Sequence, residues 1–406
     1  MGYVELSKLF YRSEIEYISE YKRRFNSPDT IKLNFDTGNN RAFFVQNAEV
    51  ANIVFQILKA YKSVSLISRQ LPLKAHDQFS KSCLINEIVL TNKIEGVYST
   101  RREIASILNE LNDTVKERKS RKRFWGLVSQ YVKLSAKYPV PVKTCEDLRQ
   151  LYDELVLEEV LEENPSNAPD GRLFRKESTS VYTSTDREIH RGVYPESAII
   201  SKLEDALAFL HNEKVELLYR ISVFHYLLGY IHPFYDGNGR LGRFIVSSLL
   251  AQEFCPLLSY QISSTIIENI NTYYGAFKVC NDPHNLGDMT PFLIMMLSMI
   301  KSSILELEET LRTRLARLAR YEKTIAALPS GEKDRTADTY YVLIQAGLFS
   351  EHGISTNEFI QYLRSSYTTA KKELDLLDGH RLLIKNKIGK ENFYQLDLER
   401  LDNYLN

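Results

Sequence analysis

Residues 231–244 read IHPFYDGNGRLGRF, and Gly237, Gly239 and Gly242 form the pattern G-x-G-x-x-G. A dinucleotide-binding turn with this pattern follows a β-strand, and a kinase glycine loop lies in a β-rich lobe. The residues before the loop instead carry apolar side chains that recur at helical spacing, which predicts a helix. These side chains are Leu217, Leu218, Ile221, Phe224, Leu227 and Leu228. Both the dinucleotide and the kinase interpretations are therefore rejected.

The segment is predicted to be a helix, a short polar loop and a second helix. The first helix ends at His232, because a residue before proline avoids the α region. Helical periodicity resumes after Arg240, so residues 236–239 lie at a helix N-terminus, where unpaired N–H groups and the helix dipole favour anions. The two glycines of the loop let the backbone approach a phosphate closely. Arg240 and Arg243 leave the same helix face and can bind phosphate oxygens.

Two further residues of the loop have side chains suited to phosphate chemistry. Asp236 is a hard carboxylate of the kind that Mg²⁺ takes alongside substrate phosphates. His232, held by Pro233, has a side chain that takes a proton near neutral pH. A base, a metal ligand, an anion site and two arginines are the parts that phosphoryl-group transfer needs.

The stretch HPFYDGNGRLGR, residues 232–243, resembles the Fic family, whose signature H-P-F-x-D/E-G-N-G-R-x-x-R it matches at every specified position. The resemblance implies transfer of AMP from ATP to a Ser, Thr or Tyr hydroxyl of a target protein. It implies that His232 is the base and that Asp236 holds Mg²⁺. It assigns the anion hole to the backbone of Gly237–Gly239 with Asn238, and the β- and γ-phosphates to Arg240 and Arg243.

Two regions beside the motif are assigned by the same resemblance. Residues 178–193 are predicted to form a β-hairpin in the place of the family's flap, which docks a target segment by adding a strand, here with Val181, Tyr182 and Thr183. A surface hairpin without this function is the alternative. Beyond the motif, Tyr273 or Tyr274 is expected to stack on adenine and Asn281 to reach the base or the ribose. Core packing is the alternative for the two tyrosines.

An upstream segment, LTNKIEGVYS, matches the family's inhibitory pattern [S/T]-x-x-x-E-[G/N] at Thr91, Glu95 and Gly96. The pattern is short, and a helix that stops at Gly96 is also an ordinary left-handed helix end. The resemblance implies that Glu95 pairs with Arg243 in the place of the γ-phosphate. It also implies that Glu95 can position water to remove AMP from a modified target.

Composition limits the remaining options. The 406 residues carry 52 Lys and Arg against 52 Asp and Glu, so the net charge favours no class of partner. The four cysteines lie far apart, no apolar run is judged long enough to span a bilayer, and Met1–Phe10 lacks a signal sequence. A soluble cytoplasmic protein is expected. Basic residues at 116–123 are interpreted as a solvated helix face.

The chain is predicted to be mainly α, with a Fic/Fido helical core that carries a β-hairpin flap. We predict four segments: a helical N-terminal domain at 1–136, the Fic catalytic domain at 137–298, a connecting helix and linker at 299–332, and a winged-helix domain at 333–406. The last shows the order helix, turn, helix and hairpin, with lysines at 371, 372, 385, 387 and 390. A DNA-binding regulator that uses the winged helix, with the Fic domain as a nucleotide sensor or using another phosphate donor, is the alternative function. Homodimers are expected from the resemblance, and no membrane partner is expected.

Overall fold

The computed structural model describes residues 3–112, 122–136, 138–182, 188–388 and 391–405. The chain is mainly helical, as predicted, with small antiparallel sheets. It divides into two compact units, one comprising Met1–Lys59 with Glu87–Leu305 and the other Ala60–Asn86 with Glu306–Asn406. The unit boundaries fall within three long helices: α3 (Ala48–Ser68), α4 (Leu73–Ile94) and α15 (Thr290–Glu322).

The first unit contains most of the helices. Their bounds are α1 (Leu6–Phe10), α2 (Glu14–Phe25), α5 (Arg101–Asn112), α6 (Trp125–Ser135), α7 (Cys145–Leu155), α8 (Leu157–Glu163), α9 (Glu196–Leu210), α10 (Leu217–Ile231), α11 (Asn238–Glu253), α12 (Pro256–Ser259), α13 (Ile262–Glu268) and α14 (Ile270–Asn281). Single 3₁₀ turns span Pro165–Asn167 and Pro283–Asn285. Thr144 and Asp147 form a capping box at the start of α7.

The core of this unit is built around α10 and α11. Buried side chains lie on every side of α10, which is the pattern of a helix enclosed by others. Helices α9 and α11 pack against α10, and α6, α7 and α13 pack against α11. The loop between α10 and α11 therefore connects two helices that are packed into the core of the unit.

Two β-hairpins belong to the first unit. Strands β1 (Thr30–Thr37) and β2 (Asn40–Val45) pair antiparallel, with Gly38 at φ 58° in the turn, and β3 (Ser180–Tyr182) pairs with β4 (Glu188–Arg191). The β3–β4 pair confirms the predicted hairpin, but the sequence analysis missed β1–β2. Alternating Leu33 and Phe35, both buried, followed by a glycine-containing turn, is a hairpin signal that was present in the sequence.

The second unit ends in a small mixed module. It contains α16 (Asp334–Phe349), β5 (Ile354–Ser355), α17 (Thr356–Tyr362), α18 (Tyr367–Gly379), β6 (Leu383–Ile388), β7 (Glu391–Leu396), α19 (Leu398–Leu405) and a 3₁₀ turn at Ile325–Ala327. Its strands form an antiparallel sheet in the order β5-β7-β6. The predicted helix, turn, helix and hairpin are present as α17, α18 and β6–β7.

The basic residues of this module are unevenly paired. Lys371 and Lys372 are exposed on α18, whereas Lys385 of β6 forms an ion pair with Asp378 at 2.7 Å. Lys390 lies outside the described residues, as do Lys116–Arg121 of the basic stretch in the N-terminal region. The winged-helix interpretation and DNA binding stay predictions.

The division into four segments at 136, 298 and 332 also stays a prediction. Residues 60–86 associate with the C-terminal part of the chain: Ser63 donates to Glu308 at 2.7 Å, and the rings of Phe79 and Phe349 lie edge to face at 6.3 Å. These long-range contacts have no local signature in the sequence.

Two helices, α3 and α15, are long and apolar enough to cross a membrane by length and composition alone, although the sequence analysis singled out neither. In the protein, 39% of the apolar window of α3 and 61% of that of α15 is buried. A core helix of a folded domain passes the same test, so the two helices are weak evidence for a membrane segment. The cytoplasmic location stays a prediction.

Candidate active site

The loop between α10 and α11 begins and ends in left-handed backbone conformations. His232 caps α10 at φ 52° and ψ 63°, and Gly237 precedes α11 at φ 79°. A non-glycine residue at positive φ is held there by its surroundings. Between these two residues, Phe234 is fully buried and stacks on Tyr152 with ring centroids 3.6 Å apart. The loop is thus held in place by the core below it.

Asn238 stabilises the loop from inside. Its amide oxygen accepts a hydrogen bond from the backbone N–H of Phe234 at 3.0 Å, and its amide nitrogen donates to the Phe234 carbonyl at 2.8 Å. The side chain is buried and turned toward the loop backbone. The Asn238 side chain thus binds the loop backbone, and the anion hole that the resemblance assigns to this region stays a prediction.

Asp236 lies at the rim of the loop with a half-buried side chain. One carboxylate oxygen accepts from the N–H of Gly237 at 2.5 Å, and the Asp236 carbonyl accepts from the Tyr152 hydroxyl at 3.2 Å. Among the residues that the structure describes, no group of three or more His, Cys, Asp or Glu side chains could hold a metal ion. A single carboxylate is nevertheless compatible with Mg²⁺, which binds through one or two carboxylates plus substrate phosphates.

Arg243 is bound on all three nitrogens by the end of α4. Nη1 donates to the Glu95 carboxylate at 2.7 Å, Nε to the Thr91 hydroxyl at 2.8 Å and Nη2 to the Thr91 carbonyl at 2.9 Å. The Arg243 side chain is 1% exposed and that of Glu95 is 22% exposed. The structure thus brings together two predicted elements that lie about 150 positions apart in the chain.

The Glu95 carboxylate also covers the start of α11. A Cβ atom added to Gly239 would collide with that carboxylate, so only glycine allows the approach. Gly96 follows in the left-handed conformation at φ 75°, which ends the turn after α4. A negative group therefore occupies the place where the helix N-terminus and Arg243 favour an anion.

Arg240 is buried like Arg243 but is not paired like it. The side chain is 0% exposed, and Nε, Nη1 and Nη2 have no hydrogen-bond partner within the described part of the chain. It interacts electrostatically with Glu159 of α8, whose Oε2 also lacks a described partner. Burial raises the pKa of Glu159 to about 7, and the charge of Arg240 limits the rise.

His232 is surrounded by three charged or titratable groups. Its pKa is lowered to about 4, mainly by burial and also by Arg175 and His190, whereas Glu95 opposes the change. Arg175 donates to the His232 carbonyl at 2.8 Å. His190 of β4 contacts the Tyr230 carbonyl through Nε2 at 2.6 Å. Since its pKa is lowered, the imidazole of His232 is neutral at physiological pH and can accept a proton.

The three residues predicted to contact the adenosine differ in solvent exposure and in hydrogen bonding. Tyr273 is 3% exposed, and its hydroxyl contacts Nε2 of His225 at 2.7 Å, so it is part of the core. Tyr274 is 37% exposed and lies edge to face with Tyr273 at 5.3 Å. Asn281 accepts a hydrogen bond from Tyr226 at 2.8 Å. Of the two aromatic candidates, only Tyr274 has a surface that a base could reach.

The predicted docking segment is described only in part. Val181 and Tyr182 belong to β3, and Val181 pairs with His190, with a register shift before Tyr182. Thr183 and the hairpin tip lie outside the described residues. Target docking stays a prediction.

Sequence reasoning missed three titratable residues around the site, of which Arg175 and Glu87 are buried. Arg175 and His190 have no periodic signal, because both lie in or next to irregular segments. Glu87 did have one, since it lies four residues before Thr91 and eight before Glu95 on one face of α4. Its carboxylate accepts from the backbone N–H of Ser263 at 2.9 Å and the Ser263 hydroxyl at 2.6 Å, and burial raises its pKa to about 7.

Comparisons with known proteins place the site within a segment that resembles known adenylyltransferases in sequence. The Fic/DOC family model matches residues 143–250. Protein adenylyltransferase fic-1 of Caenorhabditis elegans is 28% identical over 155 residues, 37% of this chain and 28% of that protein. Protein adenylyltransferase Fic of Culex quinquefasciatus is 31% identical over 127 residues, 30% of this chain and 22% of that protein. The aligned segments thus span less than a third of these relatives.

Structural similarity extends further along the chain. The crystal structure of a Fic family protein from Desulfovibrio desulfuricans G20 superposes with a TM-score of 0.51 and 20% identity. The superposition covers 86% of this chain and 96% of that one, so the two share a fold. The complete signature at residues 232–243 lies inside the segment that the family model matches, so this chain contains a Fic domain.

Proposed function

We propose that this protein is a protein adenylyltransferase that transfers AMP from ATP to a Ser, Thr or Tyr hydroxyl of a target protein, and that Glu95 restrains it. The observation that carries the proposal is the Glu95 carboxylate held by Arg243 over Gly239, at a helix N-terminus that follows a histidine and an aspartate. A site built to hold an anion accounts for all of these residues together. The relatives' activity and the complete motif support ATP as the substrate.

The proposed reaction uses His232 as the base. Its neutral imidazole takes the proton from the target hydroxyl, and the hydroxyl oxygen forms a bond to the α-phosphorus of ATP. The bond between the α-phosphorus and the bridging oxygen breaks, and pyrophosphate leaves with that electron pair. The N–H groups at the start of α11 and the guanidinium groups of Arg240 and Arg243 bind the phosphate oxygens. Asp236 would hold Mg²⁺, which neutralises phosphate charge when bound.

The restraint follows from competition for Arg243. All three of its nitrogens donate to Thr91 or Glu95, so a γ-phosphate can bind there only by displacing the carboxylate. Two anions in contact repel each other strongly in a buried site. ATP that binds beside Glu95 is therefore held away from the in-line geometry that attack requires.

The same carboxylate is suited to the hydrolytic removal of AMP from a modified target, which we include in the proposal. Glu95 is partly exposed and interacts electrostatically with His232. In a modified target, Glu95 would take a proton from water, and the water oxygen would bond to the phosphorus of AMP. The bond from that phosphorus to the target oxygen would break, and the target oxygen would take up a proton from solvent.

The test is incubation with α-³²P-ATP and Mg²⁺, with label on protein as the readout. We expect Glu95→Gly to label itself at least tenfold faster than the natural protein, and the further change His232→Ala to abolish the label. Lys93→Gly is the matched control, because it weakens the same last turn of α4 but removes an exposed side chain. If Glu95→Gly binds ATP but transfers no label to itself or to proteins of a lysate, the proposed function is wrong. Equal activation by Lys93→Gly would instead refute the role of the carboxylate.

A further inference from the structure

Arg175 is a fully buried arginine whose hydrogen bonds all go to backbone carbonyls. Nε donates to His232 at 2.8 Å, Nη1 to Glu177 at 2.6 Å, and Nη2 to Val193 at 2.8 Å and to Ile231 at 3.4 Å. Its own backbone N–H donates to the Pro233 carbonyl at 3.2 Å. One side chain therefore connects the end of α10 to the chain on both sides of the β3–β4 hairpin.

The carbonyls bound by Arg175 belong to segments that need fixed positions. Glu177 precedes β3 and Val193 follows β4, so they are the two ends of the hairpin. The N–H of Val193 also donates to the Ile231 carbonyl at 3.0 Å. At Gly192, a Cβ atom would collide with Nη2 of Arg175 and lie 3.0 Å from Cβ of His232. The hairpin thus closes directly against Arg175 and the predicted base.

The electrostatics favour an arginine at this point. No carboxylate lies within 4.0 Å of the Arg175 guanidinium in the described ranges, and burial lowers its pKa. The carbonyls of Ile231 and His232 lie at the α10 C-terminus, beyond the hydrogen bonds of the helix itself, where the helix dipole favours a cation. Arginine offers five N–H donors in a planar fork, which lets one residue serve four carbonyls. Lysine or glutamine could satisfy only some of them.

We propose that Arg175 is a positioning residue for AMP transfer: it holds the His232 backbone in its left-handed conformation and ties both ends of the docking hairpin to that residue. The base and the docked target strand then keep one relative geometry. This inference rests on the proposed function, because it assigns Arg175 a role in that reaction. Arg175 donates to none of the groups predicted to bind the phosphates.

The experiment compares substitutions in the full-length Glu95→Gly protein. Arg175→Gln removes the charge and most donors, whereas Arg175→Lys keeps the charge and one donor group. Arg220→Gln is the matched control, because Arg220 donates to the carbonyls of Val215 at 2.9 Å and Leu210 at 2.7 Å near the other end of α10. The readouts are kcat and KM for ATP in self-labelling with α-³²P-ATP and Mg²⁺, and amide hydrogen exchange at Gly192 and Val193.

We expect Arg175→Gln to lower kcat at least tenfold while KM for ATP changes less than twofold, and to speed exchange at Gly192 and Val193 at least tenfold. Arg175→Lys should fall between this variant and the parent, and Arg220→Gln should match the parent. A kcat within twofold of the parent would overturn the inference. So would an equal loss in Arg220→Gln, or a rise in KM for ATP as large as the fall in kcat, since a general loosening would produce either result.

The inference stays testable if Arg175→Gln does not fold or if the Glu95→Gly parent is inactive. If Arg175→Gln does not fold, Arg175→Lys decides: a lower kcat at unchanged KM supports the inference and an unchanged kcat overturns it. If the Glu95→Gly parent transfers no AMP, the proposed function fails, and the exchange data still test the anchoring. Faster exchange confined to the Arg175 variants supports it, and unchanged exchange refutes it.

Discussion

Arg240 and Arg243 leave α11 three residues apart and are both inaccessible to solvent, but their surroundings are opposite. On the side of Arg243, the end of α4 supplies a carboxylate, a hydroxyl and a carbonyl. On the side of Arg240, no described residue accepts a hydrogen bond from its guanidinium. The protein itself supplies hydrogen-bond acceptors to Arg243, whereas no described residue supplies one to the Arg240 guanidinium.

A buried glutamate lies near each arginine, and these two also differ. Glu87, near Arg243, accepts two hydrogen bonds from Ser263. Glu159, near Arg240, leaves one carboxylate oxygen without a described partner. An unpaired buried charge is unfavourable and a paired one is tolerated, so we expect the two arginines to contribute to stability with opposite signs.

The sharpest test of this comparison is Arg243→Met. The change leaves Glu95 without its cation and Glu87 without a compensating charge, so we expect the free energy of unfolding to fall by about 3 kcal/mol, as for a broken buried ion pair. Urea unfolding would measure it. The control is Arg23→Met, whose exposed pair with Glu20 contributes at most about 1 kcal/mol. A loss no larger than in the control would mean that the Arg243 site is not held together by charge.

A smaller effect is expected from Glu159→Gln, on the pH dependence of the free energy of unfolding. The folded-state pKa of Glu159 is about 7, above its ordinary value of 4.5. A raised pKa means that the folded state binds the extra proton, so its contribution to stability is full below pH 4.5 and is lost as pH rises through 7. Between pH 5.5 and 8.5 the natural protein should lose about 2 kcal/mol more of its unfolding free energy than the variant.

Urea midpoints across this pH range measure the difference. Glu162→Gln, on an exposed residue of the same helix, is the control and should keep the slope of the natural protein. Parallel curves for the natural protein and Glu159→Gln would show that Glu159 is already ionised in the folded state throughout the range.

The smallest effect, and one of opposite sign, is expected from Arg240→Met. Replacing an unpaired buried charge by an apolar side chain of similar size should raise the free energy of unfolding by about 1 kcal/mol. The measurement is made at pH 6, where Glu159 is mostly protonated. In the Glu95→Gly protein, the same change should weaken binding of a fluorescent ATP analogue at least tenfold. A loss of stability as large as that of Arg243→Met would refute the contrast between the two arginines.

Much of the candidate site was predictable because its signals are local. Pro233 and Gly237 determine where α10 ends and α11 begins, and the order of residues from His232 to Arg243 follows from that turn. Helical periodicity predicted α10 and the helix that resumes after Arg240. Each of these signals depends on neighbours within about four positions.

Other parts of the site could not be predicted, because they depend on contacts between distant segments. Tyr273 and Tyr274 are adjacent in sequence, but packing buries the first and leaves the second accessible. Asn238 matches the motif, yet its amide holds the Phe234 backbone. Arg175 lies in an irregular segment, and only the folded chain shows that four carbonyls converge on it.

By itself the sequence determined the chemistry available: a histidine, a carboxylate, two arginines and a glycine-rich helix start, within twelve residues whose backbone conformation proline and glycine impose. The tertiary structure decided which of these side chains are paired with one another or with distant residues. Glu95 meets Arg243 across 148 positions, and Arg240 is left unpaired among the described residues. The physical reason is that turns and caps follow from steric limits on neighbouring residues, whereas the pairing of buried charges depends on which helix faces pack together.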